Sequence, residues 1–119
     1  MAFRIRQVDC TADGRRIARD RDVFKTKLTV GRAAESDLHL PDLAVEPHHA
    51  RIERSGENRI EVAAAGTLGF GIDGAVRDAA SVDCRSGAEL QFGSSRIAVS
   101  LDGDGAVLLT VERSDGEGE

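Results

Sequence analysis

The sequence predicts an all-β protein, a twisted antiparallel β-sandwich of two sheets with about 10 or 11 short strands. Apolar residues recur at every second position in short runs, which is the period of half-buried strands. Turn dipeptides that contain glycine separate these runs. No window carries an apolar stripe of helical period between two caps, so alternating strands and helices are not expected.

The apolar runs define the strands in chain order. Each run places two or three apolar side chains on one face of a strand, and most of these residues are valine, isoleucine or leucine. The runs are Phe3 and Ile5, Leu28 and Val30, Leu38 and Leu40, Ala50 and Ile52, Ile60 and Val62, Leu90 and Phe92, Ile97 with Val99 and Leu101, and Val107 with Leu109 and Val111.

The segments between the runs favour tight turns. Asp-Gly and Ser-Gly pairs accept the backbone angles that hairpin turns require. The segment from Ala75 to Ala80 comes nearest to a helical pattern, but it is short and flanked by glycine. The turn pairs are Asp13-Gly14, Ser55-Gly56, Asp73-Gly74, Ser86-Gly87 and Asp102-Gly103.

Length and composition bound the class of protein. A chain of 119 residues fits one domain with a real core. Trp and Tyr are absent and only four Phe occur, so the core must consist mainly of Val, Ile and Leu, and aromatic stacking on bases is not expected. The net charge of -5 opposes attraction to nucleic acid or to an anionic membrane, and we expect neither as a partner.

The two cysteines and the chain termini predict a cytoplasmic protein. Cys10 and Cys84 are far apart and have no histidine at ligand spacing, so half-buried thiols are favoured over a disulfide or a metal site. No signal peptide or membrane span is evident, and no cofactor is expected. Residues 1–113 are predicted to form the domain, and residues 114–119 an acidic flexible tail that could begin a linker to a further domain.

Gly31 and Arg32 form the first candidate functional element. The strand Leu28–Gly31 ends at the glycine and therefore places Arg32 at the mouth of a loop, where binding residues of a sandwich collect. The guanidinium offers a planar fork of donors suited to carboxylate or phosphate. A solvated edge charge is the simpler interpretation of this dipeptide alone.

Later segments, taken in order, strengthen the functional interpretation, because together they resemble the forkhead-associated (FHA) domain. The segments Gly66–Gly74 and Gly87–Gly93 are similar to that family's loop-and-hairpin and to its closing strand. The resemblance covers roughly residues 28 to 99. The other matching positions are Gly31, Arg32, Asp37, Leu38, Leu40, Val45, His49, Ala50 and Ile52.

The resemblance implies an FHA/SMAD-like sandwich that binds a protein or a phosphothreonine peptide without catalysis. It also implies a role for His49 in bracing the loops, while His39 and His48 are expected to face solvent. The phosphopeptide-binding positions implied by the resemblance are Arg32, Glu46, Pro47, Thr67 and Leu68, and the supporting positions are Gly31, His49, Asp73 and Gly74.

Two positions depart from the family pattern. Glu46 stands where the family has a phosphate-binding serine, and Leu68 stands where it has an asparagine. A carboxylate roughly 5 Å from a phosphate would repel it by about 1.5 kcal/mol in a water-like medium. We therefore expect Glu46 to pair with Arg32 and to weaken or block the site; the alternative is that Glu46 points to water and leaves Arg32 open.

The sequence favours a binding function over catalysis. Catalysis is not expected, because Ser36, Asp37 and His49 do not form a nucleophile-base pair in the strand register. A signalling module with a divergent site is preferred. A functional phosphothreonine binder that uses Arg32 and a phospho-independent assembly domain remain as alternatives. The sequence defines neither the partner nor the oligomeric state.

Overall fold

In the computed structural model, residues 3–10, 12–41 and 43–113 are described, and they form twelve strands. The predicted tail at 114–119 lies outside this part of the chain. The strands are β1 Phe3–Cys10, β2 Arg16–Val23, β3 Lys27–Gly31, β4 Leu38–His39, β5 Ala50–Arg54, β6 Arg59–Ala64, β7 Phe70–Ile72, β8 Ala75–Arg77, β9 Ala79–Asp83, β10 Ala88–Phe92, β11 Ser95–Leu101 and β12 Val107–Arg113.

The strands form two sheets, which confirms the predicted sandwich. The larger sheet has the order β2-β1-β12-β11-β10-β7-β8, and the smaller one has the order β4-β3-β5-β6-β9. Most neighbours are antiparallel, as predicted, but β1 pairs in parallel with β12 and β3 in parallel with β4. The parallel pairs arise where strands that are not joined by a hairpin lie side by side.

The core lies between the sheets and consists of the predicted alternating residues. Phe3, Leu28, Ile52, Phe92 and Leu109 are all fully buried, and each belongs to one of the alternating runs in the sequence. Removing such side chains from water is the main favourable term in folding. His49 and Ser95 are the buried polar residues of the described chain.

Strand β2 lacks the apolar alternation of the other long strands. Seven of its eight residues are exposed, and its outer face is linked to β1 by cross-strand ion pairs. Arg4 pairs with Asp22 at 2.8 Å, and Arg6 pairs with Asp20 at 2.8 Å. Opposite charges directly across an antiparallel pair stabilise the pairing without burial.

The segment from Ala75 to Ala80 is not helical. It forms β8 and the start of β9, and the two-residue turn before β8 has positive φ at both Asp73 and Gly74. Such a turn matches the twist of a hairpin, so the chain continues in extended form. Helical propensity is overridden here by pairing of β8 with β7 and of β9 with β6.

Three loops meet at one end of the sandwich, which we call the Arg32 end. They are the β3–β4 loop, the β4–β5 loop and the β6–β7 loop, which comprise the described residues 32–37, 40–41 with 43–49, and 65–69. Because β3 runs toward this end and β5 runs away from it in the antiparallel pair, the end of one strand meets the start of the other. The hairpin between β5 and β6 lies at the opposite end.

The cysteine prediction can be compared with the structure at one position. Cys84 is a free, fully buried thiol, and burial raises its pKa. The side chain of Cys10 lies outside the described residues. Within the described ranges, no three His, Cys, Asp or Glu residues are grouped as a metal site, and no helix has the length and apolar character needed to cross a membrane.

Candidate functional site

The position of Arg32 depends on the close approach of two loops. The backbone N–H of Arg32 donates to the carbonyl of Glu46 at 2.9 Å, and the N–H of Ala33 donates to that of Pro47 at 3.2 Å. Gly31 permits this approach, because a Cβ on it would lie 2.1 Å from the carbonyl oxygen of Pro47. The glycine before Arg32 is therefore required by sterics.

The side chain of Arg32 is directed by a single hydrogen bond. Its Nε donates to the carbonyl of Val45 at 3.0 Å. Neither terminal nitrogen of the guanidinium has a hydrogen-bond or ion-pair partner in the described part of the chain, and the residue is exposed. Arg32 therefore presents two free donor groups at this end of the molecule.

Asp37 holds the other end of the Arg32 loop. Its carboxylate accepts from the backbone N–H of Thr29 at 3.1 Å and pairs with Lys25 at 2.8 Å, while its own N–H donates to the hydroxyl of Thr29. Burial alone would raise the pKa of Asp37, but hydrogen bonds from Lys25 and Thr29 outweigh it and hold the pKa below its usual value. The carboxylate is therefore charged at neutral pH and fixes the loop to β3.

The buried ring of His49 links the β4–β5 loop to the β6–β7 loop by hydrogen bonds. Its Nδ1 accepts from the backbone N–H of Glu46 at 3.0 Å, and its Nε2 contacts the carbonyl of Gly69 at 2.5 Å. Since Nδ1 accepts, the ring proton lies on Nε2 and donates to that carbonyl. The ring is buried and lies edge-on to Phe92, with centroids 5.3 Å apart.

The carboxylate of Glu46 is bonded to Thr67. The backbone N–H of Thr67 donates to both carboxylate oxygens, at 3.0 and 2.9 Å, and its hydroxyl donates at 2.7 Å. We call this contact the Glu46–Thr67 bridge. The hydroxyl and then the N–H of Thr67 lower the pKa of Glu46, with a smaller effect from the N–H of Leu68. The side chain is therefore an anion at neutral pH.

The expected ion pair between Glu46 and Arg32 is not formed. No described carboxylate lies within ion-pair distance of Arg32, and the carboxylate of Glu46 lies against Gly66, where a Cβ would be 1.5 Å from Oε2. The reason is local: Thr67 offers both a backbone and a hydroxyl donor, and Nε of Arg32 is already bonded to Val45. Sequence reasoning missed Thr67 as the partner of Glu46. The available signal was Gly66, which precedes Thr67 and whose missing side chain leaves room for the carboxylate.

The remaining candidate residues lie in two different regions of the domain. Pro47 and Leu68 are exposed in the loops of the Arg32 end, and Leu68 exposes 58% of its surface. Asp73 and Gly74 are not part of this group, because the extended strand β7 separates Asp73 from Gly69 by about 13 Å. Asp73 instead bonds to Glu89, donating from its N–H at 3.0 Å and accepting at Oδ1 at 3.1 Å.

The other histidines face solvent. His39 and His48 are exposed, and Nε2 of His39 lies 3.1 Å from the carbonyl of Arg32. Both ring nitrogens of His49 are engaged with backbone groups, so this ring has no free nitrogen with which to activate a hydroxyl. The arrangement can bind an anion through Arg32, and it lacks the nucleophile-base geometry of an acyl- or phosphoryl-transfer enzyme.

Comparison with known proteins agrees with the geometry. The family model described as the FHA domain matches residues 28–93, which is more than half of the chain. No curated protein sequence is significantly similar. Among solved structures, an FHA domain studied for its phosphothreonine-dependent interactions is 21% identical, with a TM-score of 0.63, and the match covers 86% of this chain and 98% of that one.

Two further solved structures share the fold. The FHA domain of a Chlamydia trachomatis protein is 16% identical with a TM-score of 0.60, over 81% of this chain and 93% of that one. The FhaA FHA domain, solved in complex with the intracellular domain of a second protein, is 22% identical with a TM-score of 0.57, over 76% and 92% of the two chains. At these identities the structural matches establish the fold alone.

Proposed function

This chain belongs to the FHA domain family of non-catalytic, phosphothreonine-binding interaction modules, and we propose that its own phosphopeptide site is weakened by Glu46. The observation that carries the proposal is the Glu46–Thr67 bridge. It places an anion in the loop that would face the phosphate, and it uses both donors of Thr67, a residue that the resemblance places among the phosphopeptide-binding positions.

The charge of Glu46 acts directly on a phosphate. Phosphothreonine carries about -1.5 to -2 charges, and a carboxylate roughly 5 Å away repels it by about 1.5 kcal/mol in a water-like medium. A repulsion of this size corresponds to about a tenfold loss of affinity. The lowered pKa of Glu46 supports this argument, because the side chain keeps its charge throughout the neutral range.

The loss of donors acts in addition to the charge. A hydrogen bond to a charged phosphate contributes about 1.5 to 3 kcal/mol, and the serine that would supply one is replaced by Glu46. The Thr67 hydroxyl cannot donate to a ligand while it donates to the carboxylate, because it has one proton. Leu68 has no polar atom in its side chain with which to hold a peptide backbone.

Calorimetric titration with a phosphothreonine peptide library tests the proposal. The wild-type chain should bind weakly or not at all. Glu46→Ser should bind measurably, and Glu46→Ser combined with Leu68→Asn should bind more tightly still. Arg32→Ala in the same background should abolish the gain. Micromolar binding by the wild-type chain would contradict the weakened site.

A second candidate function rests on the free donors of Arg32. Because both terminal guanidinium nitrogens lack a partner in the described residues, a phosphate could still approach without displacing an ion pair. This alternative predicts that the wild-type chain binds a phosphothreonine peptide and loses binding on Arg32→Ala. A cytoplasmic protein partner is proposed in either case.

A further inference from the structure

A groove opens between the two sheets on the side formed by β8 and β9. It has a volume of about 440 Å³ and is lined by the half-buried Ile72 and Ala80 and by the exposed Asp73, Ala75, Arg77, Ala79 and Ser81. Strand β8 is the last strand of the larger sheet, and β9 is the last strand of the smaller one. The groove therefore lies beside two strand edges that belong to different sheets.

The free edge of β9 carries unpaired backbone groups. In the antiparallel pair of β6 and β9, the N–H of Cys84 donates to the carbonyl of Asn58, and the N–H of Ala64 donates to that of Asp78. Bonded and non-bonded positions alternate along such a pair. The backbone N–H and C=O groups of the even-numbered residues of β9 therefore point toward β6. Those of Ala79 and Ser81 point toward the open side.

None of these four outward groups has a hydrogen-bond partner among the described residues. A row of unpaired donors and acceptors on an exposed strand is a template for pairing with another extended segment. The neighbouring side chains do not prevent approach, since β9 from Ala79 to Val82 contains only small or apolar uncharged residues.

The other long edge strand is protected in a way that β9 is not. Strand β2 has five charged residues among its eight, which discourages pairing with a second chain. The remaining edges, β4 and β8, have two and three residues. Among the edge strands in the described part of the chain, β9 is thus the longest one whose residues are mostly uncharged.

One cation lies at the rim of the groove. Arg77 is exposed, and no carboxylate of the described residues forms an ion pair with it. Arg77 lies next to the β6–β7 loop, because a Cβ on Gly69 would lie 2.9 Å from the carbonyl oxygen of Arg77. A segment that extended β9 would therefore meet a positive charge near the β6–β7 loop.

We propose that the free edge of β9 binds an extended, unphosphorylated segment of a partner protein by β-strand addition. The segment has small apolar side chains at alternate positions, which enter the groove over Ile72 and Ala80, and a carboxylate that pairs with Arg77. Main-chain hydrogen bonds to Ala79 and Ser81 supply the affinity, and the groove and Arg77 supply the selectivity. This surface is separate from the phosphopeptide site and does not depend on Glu46.

A displayed library of unphosphorylated dodecapeptides, selected on the wild-type chain, tests the proposal. The selected peptides should carry alternating small apolar residues and an acidic residue. They should bind Ser81→Ala as tightly as wild type but bind Ser81→Pro at least tenfold more weakly. Proline removes the outward N–H of residue 81 without touching the ladder to β6, whereas alanine removes the hydroxyl alone.

Amide chemical shifts of the wild-type chain give a second measurement that does not depend on the folding of Ser81→Pro. Addition of a selected peptide should shift the amides of Ala79 and Ser81 most strongly, and Arg77→Gln should weaken binding of the acidic peptides. Failure to select any peptide, or shifts confined to the Arg32 end, would overturn the proposal. Concentration-dependent dimerisation that Ser81→Pro abolishes would also overturn it, because the occupant would then be a second copy.

Discussion

Glu46 and Thr67 are joined through both the backbone N–H and the hydroxyl of the threonine, so the β4–β5 loop is closed onto the β6–β7 loop by a carboxylate. Arg32 contacts the same β4–β5 loop at a different residue, where its Nε donates to the carbonyl of Val45. The anion of the site is thus held by hydrogen bonds and leaves the guanidinium open. The charge of Glu46 and its joining of the two loops are therefore separate properties, and each can be tested by its own substitution.

Glu46→Gln should separate these two properties. The amide keeps the length of the side chain and one acceptor for Thr67 but removes the negative charge. We expect the affinity for a phosphothreonine peptide to rise by about tenfold, the factor that corresponds to the removed repulsion of about 1.5 kcal/mol. Titration calorimetry measures it, with Glu53→Gln on the exposed face of β5 as the control. Equal affinities would show that charge is not the limiting factor.

Gly66→Ala should break the bridge from the other side. The added methyl group would lie 1.5 Å from the present position of Oε2 of Glu46, so the flexible carboxylate must move away. Hydrogen exchange at the Thr67 amide should then become faster, because that amide loses its acceptor. Gly56→Ala is the matched control, since its nearest neighbour would be 4.0 Å away. Unchanged exchange at Thr67 in Gly66→Ala would contradict the described contact.

His49→Ala should destabilise the domain by about 2 to 4 kcal/mol. The substitution removes a buried ring that contacts Phe92, and it leaves the carbonyl of Gly69 and the N–H of Glu46 without their partner. Urea unfolding measures the change. His48→Ala, at the neighbouring exposed position, should change the free energy of unfolding by less than about 0.5 kcal/mol. Similar effects of the two substitutions would argue against the bracing role of His49.

Phe92→Ala should cost about 3 to 5 kcal/mol of unfolding free energy. Phe92 is fully buried and contacts both His49 and Phe70, so its loss leaves a cavity beneath the Arg32 end. Phe24→Ala removes the same side chain where 82% of the residue is exposed and should be nearly neutral. Thermal and urea unfolding of the pair distinguish core packing from a general effect of losing an aromatic ring.

Acid should destabilise the domain partly through Asp37. Its pKa is lower in the folded chain than the usual value near 3.9, so the carboxylate stabilises the fold above that value and loses this effect as the pH falls through the folded pKa. Unfolding free energy should therefore decline below about pH 5 in the wild type. The decline should be shallower in Asp37→Asn. Parallel curves for the two proteins would contradict the contribution of Asp37.

The sequence predicted the sandwich and its core because these depend on alternating apolar residues. Phe3, Leu28, Ile52 and Leu109 all lie between the sheets, as their period indicates. Strand β2 could not be recognised in this way, since ion pairs such as Arg6 with Asp20 replace apolar burial along it. The strands β8 and β9 were obscured by alanines, whose extended state is imposed by their neighbours.

The binding roles of the site residues stay a prediction, and the one contact expected between them, the pair of Glu46 with Arg32, was wrong. Gly31 and Arg32 were singled out because a strand ends there and because the later segments, taken in order, resemble the FHA family. The partner of Glu46 depends on which loop supplies the nearer donors, a property of the folded loops that residue spacing does not contain. Asp73 and Gly74 were grouped with the site by resemblance, although β7 carries them away from it.

The parallel pairing of β1 with β12 makes the two ends of the domain unequal for experiments. Residue 113 pairs with Ser95 at the end of the molecule that carries Arg32, whereas Phe3 pairs with Val107 at the opposite end. A dye, affinity tag or surface tether joined ahead of Phe3 leaves the three loops accessible. The same group joined after residue 113 is attached at the end that carries the three loops, where it restricts the approach of a ligand.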